Sequence, residues 1–455
     1  MNRISSYIIP IQLSNNKYII IHGYTGAFDI IDKSLKDLLS TKGIVSVNDF
    51  PDSSTYATLK ERGYITEKTQ EEEREHVSKI AKLLFQETKL YPNQYSLIVT
   101  YNCNFDCPYC YEKTLFKRDQ KEFTHVITKE QVNTFYERIN KLDCESGKHY
   151  KYISLFGGEP LLKENKNIVK YIIEKGKSFG YSFTATTNGY DLDSFNDLLG
   201  IKNIERIQIT IDGTQDTHDK RRIHIHHKQT FDKIINNIKT ALDKEVFVSI
   251  RINVDNTNYN SLHLLNEQFK QLNFYSYKNF FAYASFISGD NNFIPKNYTN
   301  NQDYKAITQK DFLKVFQDYN LNIIHDIKTY TSIKDVLANN KQIKFYPYYC
   351  SSQTNMYIFD PFGFIYACLE IVGDKKHAIG IYNKREITWL NEKERWKERD
   401  ISKIHKCAKC KYALFCGGGC FTKTFTDNLN AASFCDSFPT IFRYTVKEIY
   451  NKYCI

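Results

Sequence analysis

Cys103, Cys107 and Cys110 stand within eight residues, in the run Tyr101-Asn102-Cys103-Asn104-Phe105-Asp106-Cys107-Pro108-Tyr109-Cys110-Tyr111-Glu112. Three thiolates at a CxxxCxxC spacing suit three irons of a 4Fe–4S cube and leave the fourth iron open to an outside ligand. A zinc knuckle, or plain buried apolar cysteines, are the competing readings. Zinc asks for a fourth Cys or His at short spacing, and none stands near. The loop follows an apolar run, Leu97-Ile98-Val99, that reads as a strand.

Three further segments carry polar groups at strand ends. Phe156-Gly157-Gly158-Glu159-Pro160 follows one strand directly, and paired glycines let a backbone come close to a ligand. Thr187-Asn188-Gly189 follows the next, where an ordinary turn is the bland reading. Ile209-Thr210-Ile211-Asp212-Gly213 leads into His218-Asp219 and then Arg221-Arg222. A second cysteine set closes the chain: Cys407, Cys410, Cys416, Cys420 and Cys435, with Cys350 and Gly363-x4-Cys368 upstream. Alone, the four-cysteine run could be a zinc ribbon.

Taken together, CxxxCxxC with Tyr109 before its last cysteine, GGEP, TNG and the D-G…H-D-x-x-R stretch resemble the radical S-adenosylmethionine (radical SAM) superfamily. The later cysteines resemble its SPASM extension. The resemblance implies that SAM chelates the open iron. It places Gly157, Gly158 and Glu159 at the SAM amino group, Asn188 near the ribose, and Thr210 and Arg222 on the carboxylate, with Arg221 a competing candidate and Tyr109 lining the cofactor. Thr210 replaces the usual Ser and keeps a hydroxyl. The resemblance also implies three 4Fe–4S clusters. Cys407, Cys410, Cys416 and Cys435 would hold an outer auxiliary one; Cys350, Cys368 and Cys420 would hold an inner one that is a thiolate short. Cys454 could close it. Cys144 reads by default as a buried structural thiol. No catalytic acid or base is assigned; Glu370 and Asp212 are the candidate carboxylates.

These residues need a scaffold. From Gln94 to about Asn260, strands at Tyr152–Phe156, Ser182–Thr186, Ile207–Ile211 and Val246–Asn253 alternate with helices at Lys129–Leu142 and Lys166–Phe179. That is the pattern of a parallel βα-repeat sheet. The expected fold is α/β, a partial (βα)6 TIM-like barrel with its site at the C-terminal strand ends. Four segments are expected: 1–90, 91–260 (the core barrel), a polar 261–345 that completes it with a helix over Phe312–Tyr319, and 346–455 (the SPASM domain). Within 1–90, strands at Tyr7–Leu13, Lys17–His22 and Phe28–Ile31 precede helices at Leu35–Gly43, Tyr56–Arg62 and Glu71–Gln86. This order resembles a winged-helix domain that holds a leader peptide by strand addition. A packing domain or a nucleic-acid-binding winged helix would look alike.

The composition permits this. The 455 residues include 42% hydrophobic and 15% aromatic residues, enough for a sizeable core. The net charge of +10 is dispersed and selects no partner class. No signal peptide and no run of about 20 apolar residues is present, so a cytoplasmic protein without a membrane partner is expected. Twelve cysteines there argue for metal ligation over disulfides. The expected activity is a radical SAM oxidoreductase that matures a ribosomal precursor peptide, a RiPP maturase installing a thioether or carbon–carbon crosslink. It would bind the peptide's leader through 1–90 and take electrons from a flavodoxin or ferredoxin; nucleic acid is not expected. The rivals are an anaerobic sulfatase-type (formylglycine) maturase, a peptide epimerase, and a non-catalytic iron–sulfur scaffold. Sulfatase-type relatives commonly place Asp after the Gly-x4-Cys cysteine, where this chain has Leu369.

Overall fold

The structure is a computed structural model that describes residues 1–455 except 115–120, 288–308, 320, 384, 425–430, 434 and 436. Part of the expected 261–345 segment therefore lies outside the described residues. The chain divides into two compact units, one of Met1–Leu90, Ile327–Gln353 and Glu398–Ile455, the other of Tyr91–Asp326 and Thr354–Lys397. Residues 346–455 are thus shared between them.

In the first unit, strands β1 (Arg3–Ile4), β2 (Ile8–Gln12), β3 (Lys17–His22), β4 (Phe28–Asp32) and β5 (Ile65–Thr66) form two small antiparallel sheets, β2-β3-β4 and β1-β5. β4 ends the larger sheet, with Ile30 54% exposed on it. Helices Lys33–Thr41 and Ser53–Glu61 are capped by Asp32 and Asp52, whose carboxylates accept from the free first-turn amides. Helix Gln70–Glu87 opens with a capping box, Thr69 and Glu72. Its inner face, Val77 and Ala81, packs with Tyr7 and Tyr24 against Ile401, Ile404, Cys407, Ala413 and Leu414. The N-terminal ninety residues and the C-terminal cysteine segment therefore share one core. Helices Ile327–Leu337 and Phe438–Tyr453 belong to the same unit.

A ten-stranded sheet builds the second unit. Strands β6 (Gln94–Thr100), β7 (Tyr152–Gly157), β8 (Ser182–Thr187), β9 (Ile204–Thr210), β10 (Phe247–Val254) and β11 (Phe280–Phe286) pair in parallel in chain order. This is the expected (βα)6 sheet. Leu97, Ile98 and Val99 of β6 have no exposed surface, as a parallel strand covered on both faces requires. On the other edge of β6 the sheet continues with β12 (Met356–Phe359), again parallel. It is followed by the antiparallel β13 (Phe364–Tyr366), β14 (Gly380–Ile381) and β15 (Thr388–Trp389). Helix Lys129–Ser146 starts at a Thr128/Gln131 capping box and stops at Gly147, whose φ of 65° suits glycine. Cys144 is exposed on this helix, not buried as expected. The buried stripe runs Val132, Phe135, Tyr136, Ile139, Asp143, and the next residue turns about 100° away from it. No helix among the described residues is long and apolar enough to cross a membrane.

Candidate functional site

Apart from Glu370, which follows the antiparallel β13, the candidate polar residues of the second unit sit at the C-terminal end of a parallel strand or in the loop after it. The loop after β6 carries Cys103, Cys107 and Cys110. Two backbone bonds pin it: Asp106 N–H donates to Ile223 O at 2.6 Å, and Ile225 N–H to Asn104 O at 2.9 Å. The Asn188 side chain adds a third tie, donating to Asn104 Oδ1 at 2.7 Å. The thiols lie close enough for Cys107 to help raise the pKa of Cys103 and Cys110, although burial is the largest cause. Cys110 is pushed up to about 12, by burial first and then by Glu112 and Cys107. Cys103 is raised as well, by burial, Glu159 and the other two thiols. Such thiols ionise together only when positive charge joins them. An iron cluster fits this donor set, and the Phe105 amide already points at Cys103 Sγ, 3.4 Å away.

The glycines of GGEP make a different close approach from the one their sequence suggests. A Cβ on Gly157 would lie 2.1 Å from Thr100 O, and one on Gly158 would lie 2.3 Å from Tyr101 O. Their bareness lets the end of β7 lie against the cluster loop, where Gly158 N–H donates to Thr100 O (3.0 Å) and Glu159 N–H to Asn102 O (2.8 Å). Glu159 is 1% exposed and accepts from Leu161 N, Thr187 Oγ1 and Asn188 N at 2.9, 2.7 and 2.5 Å. It knits β7 to β8, and burial pushes its pKa up to about 7.

The two candidate arginines part company. Arg221 is spoken for: Nη1 bonds both oxygens of Asp255 at 2.9 Å, Nη2 bonds Asn253 O, and Nε reaches Asp212 at 3.4 Å. Arg222 has looser ties. Its Nη1 lies 3.4 Å from the Tyr109 hydroxyl, its guanidinium stands 5.4 Å from the Phe105 ring centre, and its buried Nε has no hydrogen-bond partner. A guanidinium with an unpaired edge beside the cysteine loop is what a carboxylate ligand needs. Thr210, at the end of β9, pairs with Arg251 across the sheet.

Asp212 is fully buried and saturated. It accepts from the Tyr109 hydroxyl, from Arg221 Nε and from Asn253 N–H at 3.0 Å. This fixes the Tyr109 ring over the site and leaves Asp212 a positioning group. Glu370 follows Cys368 and Leu369 in the second unit, near Tyr111. Sequence reasoning missed Tyr111, whose bond to Leu369 O arises only when the 368–370 segment folds back, and Glu112 beside it. Glu112 is 7% exposed, and burial pushes its pKa up to about 8.

In the first unit, Cys407, Cys410, Cys416 and Cys435 come within mutual electrostatic reach. Burial, then Cys416, Cys410 and Cys435, push the Cys407 thiol up to about 12. This is the foursome expected for one auxiliary cluster. Cys350 and Cys420 each have a hydroxyl two residues on, Ser352 Oγ at 2.7 Å and Thr422 Oγ1 at 3.0 Å. Cys454 is exposed, with its thiol 3.5 Å from Leu337 O.

Comparisons with known proteins bear on the fold that carries these residues. Residues 97–263 match the Radical SAM superfamily. The cysteine-type anaerobic sulfatase-maturating enzyme of Clostridium novyi is 24% identical over 362 residues, 76% of this chain and 93% of that protein. The GTP 3′,8-cyclase of Campylobacter fetus is 34% identical over 145 residues, 31% of this chain and 41% of the cyclase. Among solved structures, anSMEcpe with bound AdoMet and Cp18Cys peptide superposes with a TM-score of 0.59 at 19% identity, covering 80% of this chain and 99% of that one. Streptococcus suis SuiB bound to S-adenosylmethionine gives 0.50 at 13% identity, covering 95% and 100%. Those two likenesses concern the fold. The cysteine loop and the strand-end residues lie inside the matched segment, so residues 97–263 are a radical SAM domain and the chain is an enzyme.

Proposed function

We propose that this enzyme matures a ribosomally made peptide by installing a crosslink, a thioether or a carbon–carbon bond. The observation that carries the reading is the open-edged sheet β2-β3-β4 in the same compact unit as the C-terminal cysteines. An unpaired strand edge accepts an extended peptide through main-chain hydrogen bonds. The exposed Ile30 on β4 offers an apolar contact beside them. A cofactor-loaded barrel and a peptide-holding edge in one chain suit a peptide substrate. The peptide bound to anSMEcpe supports that substrate class.

When bound, reduced cluster and SAM supply a 5′-deoxyadenosyl radical, and the cofactor carries the hard chemistry. This chain's residues bind and orient. Arg222, aided by Thr210, would hold the SAM carboxylate, and the Gly157-Gly158-Glu159 segment would meet its amino group; Asn188 ties the loop after β8 to the cysteine loop. Tyr109, held by Asp212, lines the same pocket. Two auxiliary clusters take ligands from the C-terminal cysteine pattern, bringing the total to three 4Fe–4S clusters. A small flavodoxin or ferredoxin supplies the electrons.

A sulfatase-type maturase is the second reading, favoured by likeness along nearly the whole length of the Clostridium novyi enzyme. Leu369 after Cys368 weighs against it. Anaerobic co-expression with the short peptide encoded beside this gene separates the two. Loss of two hydrogens with a cysteine that resists alkylation establishes a thioether, and the same loss with free cysteine a different crosslink. A new aldehyde captured by a hydrazide establishes the sulfatase-type reaction. An unmodified peptide sinks both.

A further inference from the structure

Among the described residues, one buried cation beside the C-terminal cysteines has no carboxylate partner. Arg399 is 4% exposed. Among the described residues its guanidinium donates to carbonyls: Nη2 to Ala431 O at 2.8 Å and to Gly418 O at 3.4 Å, and Nη1 to Gly419 O at 3.5 Å. Nε is buried and has no hydrogen-bond partner. The Phe421 ring lies 5.0 Å from the guanidinium carbon. Among the described residues, the groups that favour its positive charge are thiols, in the order Cys407, Cys420, Cys350 and Cys416.

Neutral thiols are poor company for a buried charge, and an ion out of water without a counter-ion is strongly disfavoured. Four thiolates around iron and sulfide carry net negative charge. We propose that Arg399 is the buried counter-ion of the auxiliary iron–sulfur centres built on these thiols, and that it sets their reduction potential; the proposal rests on the cluster assignment made above. A cluster gains negative charge when it accepts an electron. A fixed cation therefore favours the reduced form and raises the potential.

The local backbone is shaped to hold the cation in place. Gly417, Gly418 and Gly419 have φ of 77°, 84° and 79°, a left-handed run between Cys416 and Cys420. A Cβ on Gly417 would lie 2.0 Å from Tyr348 O, and one on Gly419 would lie 2.3 Å from Ser433 O. The turn presents two successive carbonyls to one guanidinium. Arginine's planar, permanently charged fork can meet three carbonyls at once, which a lysine ammonium does less well. Gln353 fixes the backbone of Arg399 in turn, its Nε2 donating to Arg399 O at 3.0 Å. Lys328 brings a second positive charge beside Cys416, with Nζ donating to Tyr349 O at 2.9 Å.

The test is an EPR-monitored redox titration of reconstituted full-length protein, with iron counted in the same samples. Arg399→Gln is expected to retain about twelve irons. It should lower an auxiliary potential by at least tenfold in the reduction equilibrium, about 59 mV for one electron. The first cluster should not move, and Arg399→Lys should recover most of the shift. Unchanged auxiliary potentials in an iron-replete Arg399→Gln overturn the proposal. If Arg399→Gln instead loses auxiliary iron, its recovery in Arg399→Lys supports the charge role, and loss in both variants overturns it. Wild-type protein holding about four irons would overturn the cluster assignment itself, an outcome the count separates from failure of Arg399.

Discussion

The Tyr111 hydroxyl donates to the backbone carbonyl of Leu369 at 3.0 Å. The residue after Cys110 is thereby joined to the residue after Cys368, across 258 positions of sequence. The bond gives the cysteine loop a direct mechanical tie to the turn Leu369–Ile371. Tyr111→Phe removes the donor and leaves that carbonyl without this partner, at a cost of about 1–2 kcal/mol. Faster amide exchange at Leu369–Ile371, with exchange in β7 to β10 unchanged, is the expected result. Unaltered exchange there would show that the bond holds nothing.

Cys107→Ala tests the division of labour between the cysteine sets. SAM cleavage should vanish while iron falls only from about twelve to about eight per chain, since eight belong to the auxiliary pair. Retained cleavage would refute the role given to the loop.

A pH effect should arise from the polar cluster under β2 and β3. Glu73, fully buried, accepts from Arg3 and Ser5 at 2.5 Å, from Ser6 N–H at 3.1 Å and from Tyr24 at 3.0 Å. His22 Nε2 lies 2.9 Å from Ser5 Oγ. Burial lowers the His22 pKa from 6.5 to about 4. Between those values the unfolded chain takes up a proton that the native state refuses. Stability is therefore full above about pH 6.5 and falls as the solution is acidified towards pH 4, by about 3 kcal/mol from this group. Glu73 sits below its ordinary range despite burial, because of its hydrogen bonds and Arg3. It adds its own loss only at still lower pH. Urea midpoints at pH 7 and pH 4.5 should differ less in His22→Gln than in wild type; equal differences would remove His22 from the account.

Deleting residues 1–90 should do more than remove a peptide handle. Tyr7, Tyr24, Val77 and Ala81 share a core with Ile401, Ile404, Cys407 and Leu414. Stripping them bares the segment that carries the outer auxiliary thiols. Iron should drop by at least about four per chain, the content of one cluster. A truncated protein with full iron would show that the C-terminal segment stands alone.

Much of this was readable in the chain. The strands at Tyr152, Ser182, Ile207 and Val246 announce themselves by apolar runs after helical segments, and the cysteine spacings carry their chemistry openly. β11 was hidden because Phe280–Phe286 alternates aromatic and small residues inside an Asn- and Tyr-rich stretch. β12 was invisible for another reason: Met356 pairs with Gln94, and nothing local in either strand specifies so distant a neighbour. Arg399 gave no signal either, since its surroundings come from four separate turns of backbone. Cys144 misled because a thiol's preference for burial is statistical, while the phase of its helix is decided by the whole stripe. Arg221 and Arg222 differ by one residue, and only the placement of Asp255, Asn253 and Asp212 tells them apart.

One contact bears on how the molecule is made. The Tyr7 hydroxyl donates to Ala408 O at 2.6 Å, 401 positions away. At roughly 5–20 residues per second, a ribosome needs about 20–80 s to deliver that partner after Tyr7 emerges. Through that interval β2 and β3 wait with part of their apolar surface uncovered, while the parallel sheet is being synthesised. Nascent chains should therefore need shielding early, until the 401–414 segment that completes this core has been made.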